Sequence, residues 1–268
     1  MIPLLPLVLL SQRWKVALAK QRIICGINAV ASALDSGSQV HTLVCASGRR
    51  NARIQKLVDA LQKQQVEVKE VERSALTQLC GTDKHQGVAA YTDAVAHKSL
   101  AQLLGETATG ERFFLLVDEI TDPHNFGALI RSAAAAGCQG VVYAKDRSCQ
   151  ITPVVEKAAA GTLNLVALCQ VTNLSRAIST LKDEGVWVYG LALEESTSIY
   201  ATDLRGDIAL VAGSEGRGIR PSVLKACDGA VHIPMPGQVE SLNVSVAAGV
   251  ALFEAVRQRN NGEKVTSR

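Results

Sequence analysis

The sequence predicts an α/β protein with two domains, and three features of the chain support this. The chain has 268 residues, of which 47% are hydrophobic, so it can build two separate cores. Short, unbroken apolar runs alternate with stretches of helical periodicity, a pattern typical of a parallel sheet covered on both faces. The loops that follow several of these runs are rich in glycine, proline and polar residues.

The front of the chain, from Ile23 to about Ala90, has the pattern of a small α/β domain. A short helix is predicted over 29–34 and a strand over 40–45. An amphipathic helix follows, because apolar residues recur at i, i+3, i+4 and i+7, namely at Ile54, Leu57, Val58 and Leu61. Val66 and Val68 then alternate with polar residues, as in a strand. Residues 93–112 are polar and spotted with Gly and Thr, which predicts a linker with one short helix over 100–104.

The second block, from Phe113 onward, has the pattern of a larger parallel sheet. Strands are predicted at Phe113–Val117, 140–143, 186–193 and Ile208–Ala212. Helices are predicted over 128–136, 174–181 and 243–259.

Charge and cysteine content limit the class of protein. Residues 1–100 carry 13 Lys/Arg against 7 Asp/Glu, and the rest carry 15 against 18, so the front half favours an anionic partner. A solvated basic surface would explain the charge equally well. The cysteines show no metal-binding spacing, and we expect reduced core thiols and neither disulfides nor a metal; they are Cys25, Cys45, Cys80, Cys138, Cys149, Cys169 and Cys227. The apolar start of the chain is too short to span a bilayer, so no membrane association is expected.

Three loops are candidates for a functional site, since ligands of open α/β sheets lie beyond the carboxyl ends of strands. They are Asp118-Glu119-Ile120-Thr121-Asp122-Pro123-His124-Asn125-Phe126-Gly127-Ala128-Leu129-Ile130-Arg131, then Gly213-Ser214-Glu215-Gly216-Arg217-Gly218, and finally the stretch from Ile233-Pro234-Met235-Pro236-Gly237 to Ser241-Leu242-Asn243. The glycines at 213, 216 and 218 are in a different order from those of the G-x-G-x-x-G fingerprint of dinucleotide-binding proteins. The residues after them are not the Lys and Ser/Thr that a P-loop requires. A G-x-S-x-G nucleophile elbow is absent as well.

Together, these loops resemble the three signature motifs of the SpoU-type RNA ribose 2′-O-methyltransferases, which belong to the knotted SPOUT class. The resemblance covers about residues 23–259 and includes Gly26-Ile27-Asn28 and His85-Gln86-Gly87 in the front domain. Asn28, Phe126 and Glu240 depart from the residues common in the family. The resemblance implies a SPOUT domain with a carboxyl-terminal trefoil knot, preceded by an L30e-like α/β domain similar to a small ribosomal protein. It also implies a homodimer in the cytoplasm.

The implied domain boundaries follow the pattern of the chain. They are an extension over 1–20, an RNA-binding domain over 21–92, a linker over 93–111, a methyltransferase domain over 112–260 and a tail over 261–268.

The resemblance also assigns roles to residues. The implied catalytic residues are Asn125, Arg131, Glu215, Ser241 and Asn243, and those implied to bind S-adenosylmethionine are Gly213, Gly218, Ile233, Met235 and Leu242. The candidate phosphate contacts to RNA are Arg49, Arg50, Arg53, Lys56, Lys145 and Arg147, and a solvated basic face is the alternative explanation for them.

Each role has a structural alternative that the sequence leaves open. Asn125 could cap the helix predicted from Ala128, and Ser241 and Asn243 could cap the final helix. Glu215 could only brace its turn. Arg131 is either an unusually perturbed base or a clamp that holds phosphate and stabilises the developing alkoxide, because a guanidinium normally stays protonated.

The implied reaction is methylation of a guanosine ribose in 23S ribosomal RNA without a metal. Two other functions are compatible with the sequence. One is methylation of transfer RNA ribose, and the other is a non-catalytic ribosome-assembly factor that binds ribosomal RNA.

Overall fold

The chain divides into two compact units, of which the first ends at Val95 and the second begins at Ala96. The computed structural model describes residues 21–35, 38–48, 51–239 and 241–260. The predicted extension over 1–20 and tail over 261–268 lie outside these residues.

The first unit is a four-stranded sheet with three helices. Its strands are β1 (Gln21–Cys25), β2 (Val40–Ala46), β3 (Glu67–Val71) and β4 (Val88–Asp93), and its helices are α1 (Ile27–Asp35), α2 (Ala52–Lys63) and α3 (Arg73–Cys80). The strand order is β1-β4-β2-β3, in which only β2 and β3 are parallel. The four apolar residues predicted to form the buried face of α2 are all buried. Helix α3 was not predicted, because it is short, half of its residues are polar, and it buries only Leu76 and Cys80.

The expectation of reduced thiols is wrong for one pair of cysteines. Cys25, at the end of β1, and Cys80, at the end of α3, form a disulfide although 55 residues separate them. Both side chains lie in a small apolar cluster with Val44, Leu76 and Ala89. Spacing along the chain gives no indication of a contact between residues that only the folded sheet brings together.

The turn before β4 is held by a buried histidine. The ring of His85 accepts a hydrogen bond from the Gly87 amide and lies 3.0 Å from the Thr77 hydroxyl. Burial, with Arg73 as a smaller cause, lowers the pKa of His85, so the neutral ring is favoured. The Gln86 side chain accepts a hydrogen bond from the Ile27 amide at the start of α1.

The second unit is an eight-stranded parallel sheet in the order β10-β12-β9-β11-β6-β7-β8-β5. The strands are β5 (His97–Lys98), β6 (Phe113–Val117), β7 (Gly140–Ala144), β8 (Ala167–Val171), β9 (Trp187–Leu191), β10 (Thr197–Ser198), β11 (Ile208–Ala212) and β12 (Gly229–His232). The helices are α4 (Leu100–Glu106), α5 (Pro123–Ala135), α6 (Pro153–Ala159), α7 (Leu174–Asp183), α8 (Pro221–Leu224) and α9 (Val244–Asn260). The predicted parallel sheet is therefore confirmed.

The centre of this sheet is fully buried, since every residue of β6, β7 and β11 is buried. Strands β8 and β12, each second from an edge of the sheet, are only partly buried, and their mixed composition explains why the sequence did not predict them. Helix α5 begins at Pro123, five residues before the predicted start. Asp122 accepts a hydrogen bond from the Asn125 amide and caps the helix, with proline in the first turn.

No helix in the described part of the chain is long and apolar enough to cross a bilayer.

Gly127 sets the distance between α5 and α6. A Cβ atom there would lie 2.5 Å from the Cβ of Ala158 and 2.7 Å from the carbonyl oxygen of Val155. Backbone atoms leave little room for such a contact to relax.

We therefore expect Gly127→Ala to lower the free energy of unfolding by about 1–3 kcal/mol. Gly105, near the end of α4, is the matched control, since a Cβ there meets nothing within 4 Å. Gly105→Ala should raise stability by up to about 1 kcal/mol through helix propensity. Chemical denaturation of both variants checks this, and equal stability of the two would contradict the packing argument.

Candidate active site

The candidate site lies at the carboxyl edge of the parallel sheet. The loop after β6 leads into α5, a short hairpin follows β11, and the loop after β12 leads into α9. Strands β6 and β11 are direct neighbours in the sheet, with β9 and β12 beside them. All three predicted loops therefore start from one edge.

One carboxylate oxygen joins the three loops. Oε1 of Glu215 accepts hydrogen bonds from Nδ2 of Asn125 and Nδ2 of Asn243, each at 2.7 Å. Nδ2 of Asn243 also lies 3.0 Å from Oδ1 of Asn125. The structure thus brings together one predicted catalytic residue from each motif. In the described residues, Oε2 of Glu215 makes no hydrogen bond.

The two asparagines lie at the starts of two helices: Asn125 is in the first turn of α5, and Asn243 directly precedes α9. The alternative that Asn125 caps α5 is wrong, because Asp122 fills that role and leaves the Asn125 side chain free to reach Glu215. Asn243 does both. Its Oδ1 accepts from the amide and hydroxyl of Ser245, as a helix cap does, while its Nδ2 reaches Glu215.

A tight hairpin presents Glu215. Ser214 and Gly218 exchange two backbone hydrogen bonds of 2.9 Å around the tip. A Cβ at Gly213 would lie 2.2 Å from the carbonyl carbon of Gly218, so only glycine permits this contact. Gly216 and Gly218 both have positive φ. The glycines serve the backbone of the turn, which fixes the direction of the Glu215 side chain.

Arg131 is exposed on α5 and has no ion-pair or hydrogen-bond partner for its guanidinium among the described residues. Six residues of helix place it about 9 Å along the axis from Asn125 and about a third of a turn away. The structure therefore does not join Arg131 to the Glu215 cluster. Ser241 is also exposed, and its hydroxyl has no hydrogen-bond partner in the described part of the chain.

The residues predicted to line a cofactor pocket follow β11 and β12. Ile233 and Met235 are half-buried, and Leu242 is 38% exposed. Two further large apolar side chains, Leu193 after β9 and Val239 after β12, are more than half exposed. Apolar side chains and glycine-rich backbone are groups of the kind that contact an adenosine.

Among the predicted RNA contacts, Arg49 and Arg50 lie outside the described residues. Arg53 and Lys56 are exposed on α2, and Arg53 donates a hydrogen bond to the Asn28 side chain. Lys145 is exposed in the second unit. The Arg147 side chain is 69% exposed although it forms an ion pair with Glu119 at 2.9 Å.

A buried ion pair below the site was missed by the sequence analysis. Asp118, which is fully buried, accepts hydrogen bonds from the Arg220 backbone amide and from two nitrogens of its guanidinium. These bonds to Asp118 raise the pKa of Arg220, so the guanidinium stays charged. The two residues are separated by 102 positions. The only signal in the sequence was the placement of each directly after a candidate strand or turn.

No group of three or more His, Cys, Asp or Glu side chains that could hold a metal ion occurs in the described parts of the chain.

Comparison with known families matches both units. Residues 112–253 match the SpoU rRNA Methylase family, and residues 23–97 match a family described as RNA 2′-O ribose methyltransferase substrate binding. The first match covers more than half of the chain. The chain belongs to the SpoU rRNA methylase family.

Relatives in this family are similar over nearly their whole length. A 23S rRNA (guanosine-2′-O-)-methyltransferase RlmB of Xanthomonas campestris is 44% identical, covering 88% of this chain and 96% of the relative. The RlmB protein of Shewanella oneidensis is 42% identical, covering 90% of this chain and 99% of the relative.

A solved SpoU structure has the same fold. The SpoU methyltransferase AviRb from Streptomyces viridochromogenes, in complex with AdoMet, matches with a TM-score of 0.77 at 24% identity. The match covers 95% of this chain and 97% of that chain.

We expect Glu215→Ala and Asn243→Ala to be non-additive in stability, because each alone removes the hydrogen bond between Asn243 and Glu215. The coupling energy in a double-mutant cycle should be about 0.5–1.5 kcal/mol, measured by chemical denaturation. A matched cycle that pairs Glu215→Ala with Asn173→Ala, the cap of α7, should give no coupling. Full additivity in the first cycle would contradict the shared contact.

Proposed function

We propose that this protein transfers a methyl group from S-adenosylmethionine to the 2′-oxygen of a guanosine ribose in 23S ribosomal RNA. The observation that carries the proposal is that the side-chain amides of Asn125 and Asn243 both donate to one carboxylate oxygen of Glu215 at the sheet edge. Relatives that are 42–44% identical and bear this activity in their names support the substrate.

The residues around β11 and β12 fit the cofactor. Gly213 and Gly218 would offer backbone, and Ile233, Met235 and Leu242 would offer apolar contact to its adenosine. Bound S-adenosylmethionine supplies an electrophilic methyl group on a sulfonium. The protein must then align the attacking oxygen with that methyl group and assist the loss of the hydroxyl proton.

Arg131 is best suited to hold phosphate beside the target ribose. Its guanidinium is exposed and has no carboxylate partner in the described residues, so its donors are free for an anion. We therefore favour the clamp over the base, since a guanidinium does not release its proton readily. Ser241 and the two asparagines would orient the ribose. Oε2 of Glu215 is the oxygen of the cluster that is free to accept the hydroxyl proton.

RNA binding would involve both units. In the first, Arg53 and Lys56, with Arg49 and Arg50, would contact phosphates, and in the second, Lys145 and Arg147 would do so. The family match over 23–97 supports this role for the first unit. We infer that this unit, over 21–92, is L30e-like, and that the stretch over 93–111, which includes β5 and α4 of the second unit, leads into the methyltransferase domain over 112–260. We also infer that this domain contains a trefoil knot near its carboxyl end.

We further infer a homodimer that acts in the cytoplasm. Helix α9 exposes an apolar face, on which Val246 is 51% and Phe253 is 50% exposed. Such a face on a helix that otherwise packs against α5 favours burial against a second copy. Arg131, on that same α5, would then act close to the dimer interface.

The decisive test is transfer of tritiated methyl groups from S-adenosylmethionine to unmethylated ribosomal and transfer RNA, followed by mapping of the methylated ribose. We expect incorporation at one guanosine of 23S RNA. Arg131→Ala should reduce turnover by about 100-fold or more while cofactor affinity, measured by calorimetry, stays the same. Arg176→Ala, an exposed arginine on α7, is the control and should retain full activity.

Incorporation only into transfer RNA would favour the transfer-RNA enzyme. No incorporation into either pool by folded protein would favour the assembly factor. Loss of cofactor binding in Arg131→Ala would place Arg131 in the donor pocket.

We expect Phe253→Glu to dissociate the dimer, because it places a charge in an apolar interface. Sedimentation analysis should show a monomer, and methyl transfer should fall with it. Leu165→Glu alters a residue that is 66% exposed elsewhere in the second unit and should remain dimeric. A dimeric, active Phe253→Glu variant would rule out α9 as the interface.

A further inference from the structure

We propose that Asp118 and Arg220 are positioning residues for methyl transfer, and that their buried ion pair holds the Glu215 hairpin in register with the loop that carries Asn125. This inference rests on the proposed function for its catalytic consequence. The contact between the two residues does not depend on it.

The pair connects the two loops directly at their bases. Asp118 is the first residue after β6, and its own amide donates to the carbonyl oxygen of Ala212 at the end of β11. Arg220 follows the hairpin and precedes α8. The Asp118 carboxylate receives three hydrogen bonds of 2.6–2.9 Å from Arg220. The hairpin is thus held at both ends, by strand β11 on one side and by Asp118 on the other.

A second carboxylate extends this pair to a third loop. Glu119 lies 3.4 Å from the Arg220 guanidinium and 2.9 Å from that of Arg147, in the loop after β7. Glu119 and Arg147 both have positive φ, which non-glycine residues rarely adopt. Strained backbone of this kind persists where surrounding contacts impose it, and it is concentrated at functional sites.

The position of the Glu215 hairpin matters for the reaction. Glu215 is only five positions from Arg220, and its hydrogen bonds to Asn125 and Asn243 are both 2.7 Å long. A hairpin released from Asp118 could shift by about 1 Å, which is enough to cost up to about 100-fold in rate when groups must be aligned. Asp118 is fully buried, so it acts through the hairpin and not on substrate.

The test compares Arg220→Met with Arg259→Met. Arg259 is also half-buried, and its guanidinium lies 4.4 Å from the ring centre of Phe113, at the amino end of β6 and so at the opposite edge of the sheet. Both variants should lose thermal stability. Only Arg220→Met should lower the single-turnover rate at saturating S-adenosylmethionine and RNA, by about 10- to 100-fold.

Hydrogen exchange gives a readout that does not require activity. The amides of Ser214 and Gly218 close the hairpin, and in Arg220→Met their exchange should accelerate by at least about tenfold, beyond any change in the rest of the sheet. Arg259→Met should not have this local effect. Arg220→Lys, which keeps the charge but not the paired donors, should fall between wild type and Arg220→Met.

The Arg220→Met variant leaves the buried Asp118 carboxylate without its arginine partner. The double variant Asp118→Asn/Arg220→Met avoids this, because both positions are then neutral. It should recover stability without recovering the rate, and it replaces Arg220→Met if that variant does not fold. Equal rates for Arg220→Met and Arg259→Met at matched folded fraction, or unchanged exchange at Ser214 and Gly218, would overturn the proposal. A wild-type protein that methylates no RNA would overturn the proposed function instead, and the exchange measurement would still test the ion pair.

Discussion

The site depends on one shared acceptor, Oε1 of Glu215. Two side-chain amides donate to this oxygen, and they belong to helices that start 121 residues apart, at Pro123 and Val244. A carboxylate acceptor strengthens both hydrogen bonds and orients both asparagine side chains toward the same point. The arrangement requires that the loops after β6, β11 and β12 begin at one edge, which a parallel sheet ensures. The hydrogen bonds of the site can therefore form only if the strands have this order and direction.

The sequence predicted the elements in which composition and burial agree. Strands β6 and β11 lie at the predicted residues because each is an unbroken apolar run with polar residues after it. Helix α5 starts earlier than predicted because Asp122 and Pro123 extend it beyond its apolar face. Strands β8 and β12 were missed, since their half-buried positions tolerate polar residues and leave no clear period.

The site was predictable in its residues but not in its contacts. The motifs identified Asn125, Glu215 and Asn243, and the structure adds that they share hydrogen bonds while Arg131 lies apart from them. Asp118 and Arg220 escaped notice because a single acid and a single arginine, 102 positions apart, have no pattern of their own. The Cys25–Cys80 disulfide escaped for the same reason. Pairings over such distances follow from tertiary structure, which spacing does not encode.

The hydrogen bond between Asn125 and Asn243 spans 118 positions of the chain, and this separation affects how the protein matures. Contacts between distant segments form late in folding, because the entropy of closing a long loop must be lost before the contact gains anything. A partly assembled sheet would bury many apolar residues and still have no arranged site. Correct placement of the proposed catalytic side chains thus requires that the second unit has folded, so partly folded copies would be inert and would not modify RNA at the wrong position.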